Sequence, residues 1–296
     1  MLKKNKVPMS EVGDERGVTA NADKYAVFGQ PIKHSKSPVI HAAFAAQFEE
    51  AVSYRAIGVE LDAFEHKVSA FFDAGGAGLN ITAPFKARAF ALAEEVSDRA
   101  LRAKAANVLL PLPTGGLRAD NTDGVGLVRD MVTNCGWQLH GRRTLILGAG
   151  GAVRGILQPL LHERPASVFI ANRTAVKAEQ LAMEFDDLGV SIQGGGYDAL
   201  AGQSFDLVIN ATSAGLAREM PELPSFTLTE RCCCYDMVYG PEPTLFMRWA
   251  AGQAAWATSD GLGMLVEQAA ESYYLWRGKR PATRPIIQQL RQPLAD

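Results

Sequence analysis

Cysteine, basic excess and long apolar runs are all scarce in this chain, and each scarcity removes a class of protein. Four cysteines occur in 296 residues, three of them consecutive at Cys232, Cys233 and Cys234. That spacing suits neither a disulfide framework nor a Cys-x-x-Cys metal site, and a reducing cytoplasm fits it best. Lys plus Arg number 30 against 32 Asp plus Glu, a formal charge of −2, so no cationic excess is present to neutralise a nucleic-acid backbone. No apolar stretch approaches the roughly 18–20 residues needed to cross a bilayer, which excludes a spanning helix. The start of the chain carries early lysines but no apolar stretch behind them, and no export signal is visible. Five histidines, with no carboxylate or cysteine at ligand spacing beside them, leave a metal site unsupported.

What is present is a globular composition. Hydrophobic residues make up 47% and charged residues 21%, enough apolar burial to offset chain entropy. The length corresponds to about two units at a typical ~150 residues each. Residues 1–23 are polar and aperiodic and read as a mobile tail. From Lys24 onward strand-like and helix-like patterns alternate. Tyr25–Phe28 is followed by the turn-rich GQPIKHSKSP and a helical pattern from Val39 to about Glu49, with Ser37 placed as N-cap and Pro38 at the first helical position. Strand-like Gly78–Thr82 leads to helix-like Phe85–Val96, and Val108–Leu112 reads as a short strand. A second series opens at Arg143–Leu147. Ser167–Ala171, helical Ala175–Phe185, Phe205–Ala211 and Cys232–Val238 continue the alternation expected of a parallel sheet wrapped by helices. The cysteine run within the last of these reads as small buried side chains. The final long helical pattern, GMLVEQAAESYYLWRG, can pack on either unit by periodicity alone.

Several positions combine residue types that point to chemistry, each beside a plainer reading. In LILGAGGAVRG the glycines stand between a β-rich run and a helical one, where helix N–H groups can meet a pyrophosphate. The third glycine of G-x-G-x-x-G is missing, and a ligand-free tight turn stays open. The next strand ends in Asn172-Arg173-Thr174 where an NAD site usually shows an acidic residue. An arginine there favours a ribose 2′-phosphate, hence NADP, and Lys177 adds charge near the same helix start; a capping Thr174 beside a solvated arginine is the plainer meaning. Ser35 and Ser37, spaced i, i+2 before a helix N-terminus, suit a carboxylate or a simple cap. Lys86 falls in the first turn of a helix, where the macrodipole disfavours a cation; it can serve as a proton donor to a substrate carbonyl or be an ordinary exposed lysine. Asp123 can cap the helix that follows it. His34 and His41 read as structural.

Together the strings FGQPIKHSKSPVIH, GLNITAPFK, NTDG, GAGGAVRG, NRT, NATSAG, YDMVYGPEPT and DGLGMLVEQAA resemble the shikimate dehydrogenase family, in order and spacing, over about residues 25–290. The resemblance implies an α/β protein of two domains separated by a cleft: a substrate-binding domain over 24–122 completed by 261–296, and a Rossmann-type, doubly wound NADP-binding domain over 123–260. It implies reversible NADPH-dependent reduction of 3-dehydroshikimate to shikimate, a step toward chorismate and the aromatic amino acids. Lys86 and Asp123 match the family's catalytic pair. Ser35 and Ser37 match its carboxylate-binding hydroxyls, and Asn80, Thr82, Asn107, Tyr239 and Gln268 match positions that contact or border the substrate. Gly148, Ala149, Gly150, Gly151 and Ala152 match the pyrophosphate loop, and Asn172, Arg173, Thr174 and Lys177 the 2′-phosphate site. Met237, Gly261 and Met264 match the nicotinamide side, and Asp98 a further cofactor position. Departures are Gln30 for the common Asn, Val108 for the Thr usual after Asn107, and the extension over 1–23. Two rival readings are a quinate/shikimate dehydrogenase preferring NAD and a catalytically silent NADP-binding module. The implied partner is a small-molecule substrate, with no nucleic acid or membrane, for a monomer or homodimer.

Overall fold

The computed structural model describes residues 22–212 and 221–292. Residues 1–21 of the tail expected over 1–23, the last three residues of NATSAG, and residues 293–296 lie outside the described residues. In the first domain the elements run β1 (Asp23–Gly29), α1 (Ser37–Gln47), β2 (Val52–Gly58), α2 (Phe64–Asp73), β3 (Gly76–Ile81), α3 (Lys86–Ala91), β4 (Glu95–Val96), α4 (Asp98–Ala103), β5 (Val108–Pro111) and β6 (Leu117–Asp120). They form one sheet in the order β2-β1-β3-β5-β6-β4. β1, β2 and β3 are parallel, whereas β5 runs antiparallel to both β3 and β6. The inner strands β1 and β3 are buried along most of their length, which is why they read as apolar runs rather than alternating ones.

Three boundaries differ from the sequence expectation. β1 begins at Asp23, inside the expected tail, because the Asp23 N–H already bonds the Ala51 carbonyl at 3.1 Å. The helix expected over Phe85–Val96 stops at Ala91, and Glu95–Val96 instead pair with Arg118–Ala119 as a strand. Ser37 is the first residue of α1 rather than its N-cap: Lys36 holds that position, and the Ser35 Oγ accepts the Ser37 N–H at 3.3 Å.

After α5 (Asp123–Arg129) and a π-helical turn over Asp130–Asn134, the second domain runs β7 (Arg143–Leu147), α6 (Gly151–His162), β8 (Ser167–Ala171), α7 (Ala175–Met183), β9 (Ser191–Gly195), β10 (Ser204–Asn210), β11 (Thr227–Asp236), α8 (Leu245–Gly252) and β12 (Ala257–Ser259). The described strands form an all-parallel sheet in the order β12-β11-β10-β7-β8-β9. Numbered within the domain this is the 3-2-1-4-5-6 order of doubly wound nucleotide-binding sheets, whose ligands sit outside the strand C-termini where the winding reverses, here between β7 and β10. The cysteine run lies buried in β11.

The chain then returns through α9 (Leu262–Arg277) and α10 (Arg284–Arg291). Val266, Ala269 and Tyr273 of α9 pack with Ile286 and Ile287 of α10 on Ile40 and Phe44 of α1. Glu50, just past α1, accepts from Arg277 Nε at 2.6 Å, from the Tyr273 hydroxyl and from Lys279 at 2.9 Å. The Arg277 guanidinium holds the Glu50 carboxyl down at about 2. Because this lies below the unfolded value of about 4.3, the stabilisation is present above that pH and is lost as pH falls toward 2. Glu50→Gln should lower Tm by about 2–8 °C at neutral pH, for a loss of about 1–2 kcal/mol. Thermal melts from neutral pH down to about 3 should show the difference shrinking with acid.

Between the domains, Arg102 pairs with Asp187 at 2.5 Å and Lys104 with Glu184 at 2.8 Å. The Arg102 guanidinium also lies 4.7 Å from the Phe185 ring centre.

Candidate active site

The antiparallel part of the first sheet brings the candidate catalytic residues together. Asn80 pairs with Val108, and Val108 with Asp120, so the end of β3, the start of β5 and the end of β6 share one margin of the sheet. The loop after β3 leads to α3, which opens on Lys86, and the loop after β6 leads to α5, which opens on Asp123. Lys86 Nζ donates to Asp123 Oδ2 at 2.5 Å, the lysine side chain 32% and the aspartate 12% exposed. Asn107 Nδ2 donates to Asp123 Oδ1 at 2.9 Å, and Asn107 Oδ1 accepts the Thr122 N–H at 2.8 Å. Asn121 Oδ1 accepts the Asp123 N–H at 3.1 Å. Asp123 is therefore not a cap: Thr122 holds the cap position, and the carboxylate is held between an ammonium and an amide.

A crevice of about 500 Å³ contains this pair. Ser35, Ser37, Asn80, Thr82 and Asn107 line it from the first domain, Met237 and Tyr239 from the second, and Gly261, Met264 and Gln268 from α9 and the residue before it. Gln268 Oε1 accepts from Asn107 Nδ2 at 3.2 Å, which ties α9 to the same network. Burial, reinforced by Asp260, pushes the Tyr239 phenol above its ordinary range, so it enters the crevice as a neutral hydroxyl. The two histidines read as structural part company. His41 is buried, stacked on Tyr54 at 4.1 Å, and desolvation pushes it down to about 3, so it is neutral. His34 is exposed and lines the crevice with Lys33 and Lys36, because the loop from β1 to α1 folds over that wall. Sequence reasoning also missed Thr122, Ser272 and Tyr54. Thr122 was legible within NTDG; nothing local marked the other two.

The remaining candidates lie outside the crevice lining, most of them along the C-terminal ends of β7 and β8. Gly148 has φ of +107°, a conformation side chains rarely adopt, and its N–H bonds the Ala171 carbonyl at 2.7 Å. From there Ala149 to Ala152 climb into α6, whose N-terminus has Gly150 at the cap with no side-chain partner. A Cβ placed on Gly150 or Gly151 meets open space, so there is room beside the start of α6, where first-turn N–H groups lack intrahelical partners. Thr174 stands at the cap of α7 without a side-chain capping bond, and Asn172 Nδ2 donates to the Thr174 carbonyl at 3.0 Å. Arg173 and Lys177 are exposed and, among the described residues, have no carboxylate partner. An uncapped helix N-terminus beside two unpaired cations fits a phosphorylated dinucleotide. Asp98 opens α4 on the surface and is not part of the crevice lining.

A doubly wound sheet facing a second α/β domain across a crevice that holds a lysine–aspartate pair defines a two-domain, Rossmann-type oxidoreductase. Comparisons with known proteins show its family. Residues 27–109 match the shikimate dehydrogenase substrate-binding domain, 130–218 the shikimate/quinate 5-dehydrogenase domain, and 261–291 the shikimate 5′-dehydrogenase C-terminal domain. The chain is 55% identical to the NADP(+) shikimate dehydrogenase of Cellvibrio japonicus, over 93% of this chain and 99% of that one. An Ael1 enzyme from Pseudomonas putida superposes with a TM-score of 0.84 at 48% identity, covering 93% and 100% of the two chains. The Thermus thermophilus shikimate 5-dehydrogenase, in complex with NADP(H) and shikimate, gives a TM-score of 0.78 at 30% identity, covering 91% and 98%. This chain belongs to the shikimate dehydrogenase family.

Proposed function

We propose that this chain catalyses the reversible NADPH-dependent reduction of 3-dehydroshikimate to shikimate, with domain boundaries at 122/123 and 260/261. The observation that carries the reading is the 2.5 Å contact between Lys86 and Asp123 inside a crevice lined by hydroxyl and amide side chains. Ser35 and Ser37 hold the ring carboxylate at the start of α1, where the positive end of the helix dipole favours an anion. Asn80, Thr82, Asn107 and Gln268 take the ring hydroxyls, and Tyr239 borders them. Lys86 delivers a proton to the reacting oxygen during reduction and removes it during oxidation, while Asp123 fixes the ammonium and accepts from a neighbouring ring hydroxyl. When bound, the nicotinamide supplies or accepts the hydride. Gly148 to Ala152 cradle the pyrophosphate, Asn172, Arg173, Thr174 and Lys177 receive the 2′-phosphate, and Met237, Gly261 and Met264 border the nicotinamide. Asp98 is the remaining proposed cofactor contact.

Purified protein given shikimate and NADP should generate NADPH, with a kcat/KM above that for quinate with NAD. Preference for quinate with NAD would refute the substrate assignment. NADPH binding without shikimate-dependent turnover at any neutral or alkaline pH would instead favour a silent binding module. Loss of the Arg173 guanidinium removes charge-assisted bonds worth about 1.5–3 kcal/mol each. Arg173→Ala is therefore expected to raise KM for NADP roughly ten- to hundredfold, leaving kcat at saturating NADP near the parent value.

A further inference from the structure

Behind the crevice wall stands a tyrosine that the proposed function does not use. Tyr54 lies on β2, the outermost strand of the first sheet, and its hydroxyl is 2.7 Å from Asn80 Oδ1. The orientation of the Asn80 amide follows from its other partners. One is the backbone carbonyl of Asn107 at 3.0 Å, which can only accept, so the atom facing it is Nδ2. The same Nδ2 donates to Ser272 Oγ at 3.0 Å, and that hydroxyl in turn donates to the Gln268 carbonyl at 3.0 Å. Oδ1 is thus fixed by elimination, and Tyr54 must be the donor to it. Both amide hydrogens of Asn80 are consumed inside the protein. The polar capacity it has left for a ligand is one Oδ1 lone pair, which accepts from a hydroxyl and cannot bind a carboxylate.

The tyrosine is itself held. The neutral ring of His41 stacks on it at 4.1 Å with planes 5° apart. Burial pushes its phenol well above the ordinary range, so it remains a neutral donor.

We propose that Tyr54 is a positioning residue for the substrate: its hydroxyl holds Asn80 as a one-sided acceptor for a ring hydroxyl. This rests on the shikimate reading above. Removing the hydroxyl leaves Asn80 Oδ1 as an unpaired buried acceptor, which the side chain can relieve only by turning away from the crevice or drawing in water. Asn107 loses a support on its carbonyl when Asn80 turns.

The test is a double-mutant cycle on Tyr54→Phe, Asn80→Ala and the double variant, each assayed with shikimate and with NADP. Tyr54→Phe should raise KM for shikimate about tenfold, leave KM for NADP within twofold, and change kcat less than threefold. In the Asn80→Ala background the same change should add less than twofold, since Tyr54 then has nothing to orient. Independent multiplication of the two losses, an equal rise in KM for NADP, or a single variant within twofold of the parent would each overturn the proposal. A parent protein that neither turns over nor binds shikimate would refute the earlier reading and this one with it. A parent active on shikimate beside an unaffected Tyr54→Phe would refute this one alone.

Discussion

Lys86→Ala should cut kcat for shikimate oxidation by about 10²–10⁴, the span typical of losing a positioned proton-transfer group. KM for NADP should stay within a few-fold of the parent value. The reason is spatial. Lys86 and its partner Asp123 line the crevice, whereas the glycine loop, Arg173 and Lys177 lie along the C-terminal ends of β7 and β8, outside that lining. Under the proposed roles, removing the ammonium affects the proton transfer and leaves the proposed phosphate contacts alone. It also strands the Asp123 carboxylate with Asn107 as its remaining side-chain donor among the described residues. An equal loss of cofactor affinity in titrations would mean that the lysine serves the nucleotide instead of the proton. Steady-state kinetics on both substrates separates the outcomes, because a transition-state contact lowers kcat and kcat/KM together.

Gly126→Val should be strongly damaging, because it pushes α5 off α9. A Cβ at Gly126 would lie 2.7 Å from Gln268 Cβ, 2.8 Å from the Gln268 backbone nitrogen and 2.9 Å from the Met264 carbonyl oxygen. Two of these atoms are backbone and cannot swing aside, so α5 and α9 must separate. The expected cost is about 3 kcal/mol, at the upper end of overpacking, with Tm lower by about 6–12 °C. The damage should also reach the site, because α5 carries Asp123 and α9 carries Gln268, and both bond Asn107 Nδ2. A raised KM for shikimate in whatever fraction remains folded is therefore expected. A variant with unchanged Tm and kinetics would show that the helix crossing is looser than its distances imply.

The acid response of Glu50 and the Arg173 substitution probe other levels. Glu50 reports how α9 is stitched to the segment that follows α1, remote from the crevice. Arg173 tests the proposed cofactor end by itself.

Much of this molecule is legible in its residue order. Ser167–Ala171 and Arg143–Leu147 read as strands at the bounds they adopt, because buried parallel strands are unbroken apolar runs. Edge elements are harder. β2 has no fully buried residue and β4 has only two residues, so neither carries a periodic signal, and the residues of β4 read as part of a helix that in fact ends at Ala91. Helix starts are displaced by one residue at Ser37 and again in the capping reading of Asp123, since cap geometry depends on dihedral angles that residue type does not specify.

Residue order alone determined which chemical groups this protein owns: a lysine in a helix's first turn, an Asn-Thr-Asp-Gly turn, paired serines before a helix, and a glycine loop followed by an arginine where an acid is usual. Those are short-range patterns, set by neighbours a few positions apart. Only the tertiary structure decided that Lys86 meets Asp123, that Gln268 reaches Asn107 from the far end of the chain, that His34 borders the crevice, and that Tyr54 bonds Asn80. Each of these depends on strand order and helix crossing, and a contact between distant segments exists only once the sheet has closed and its helices have packed.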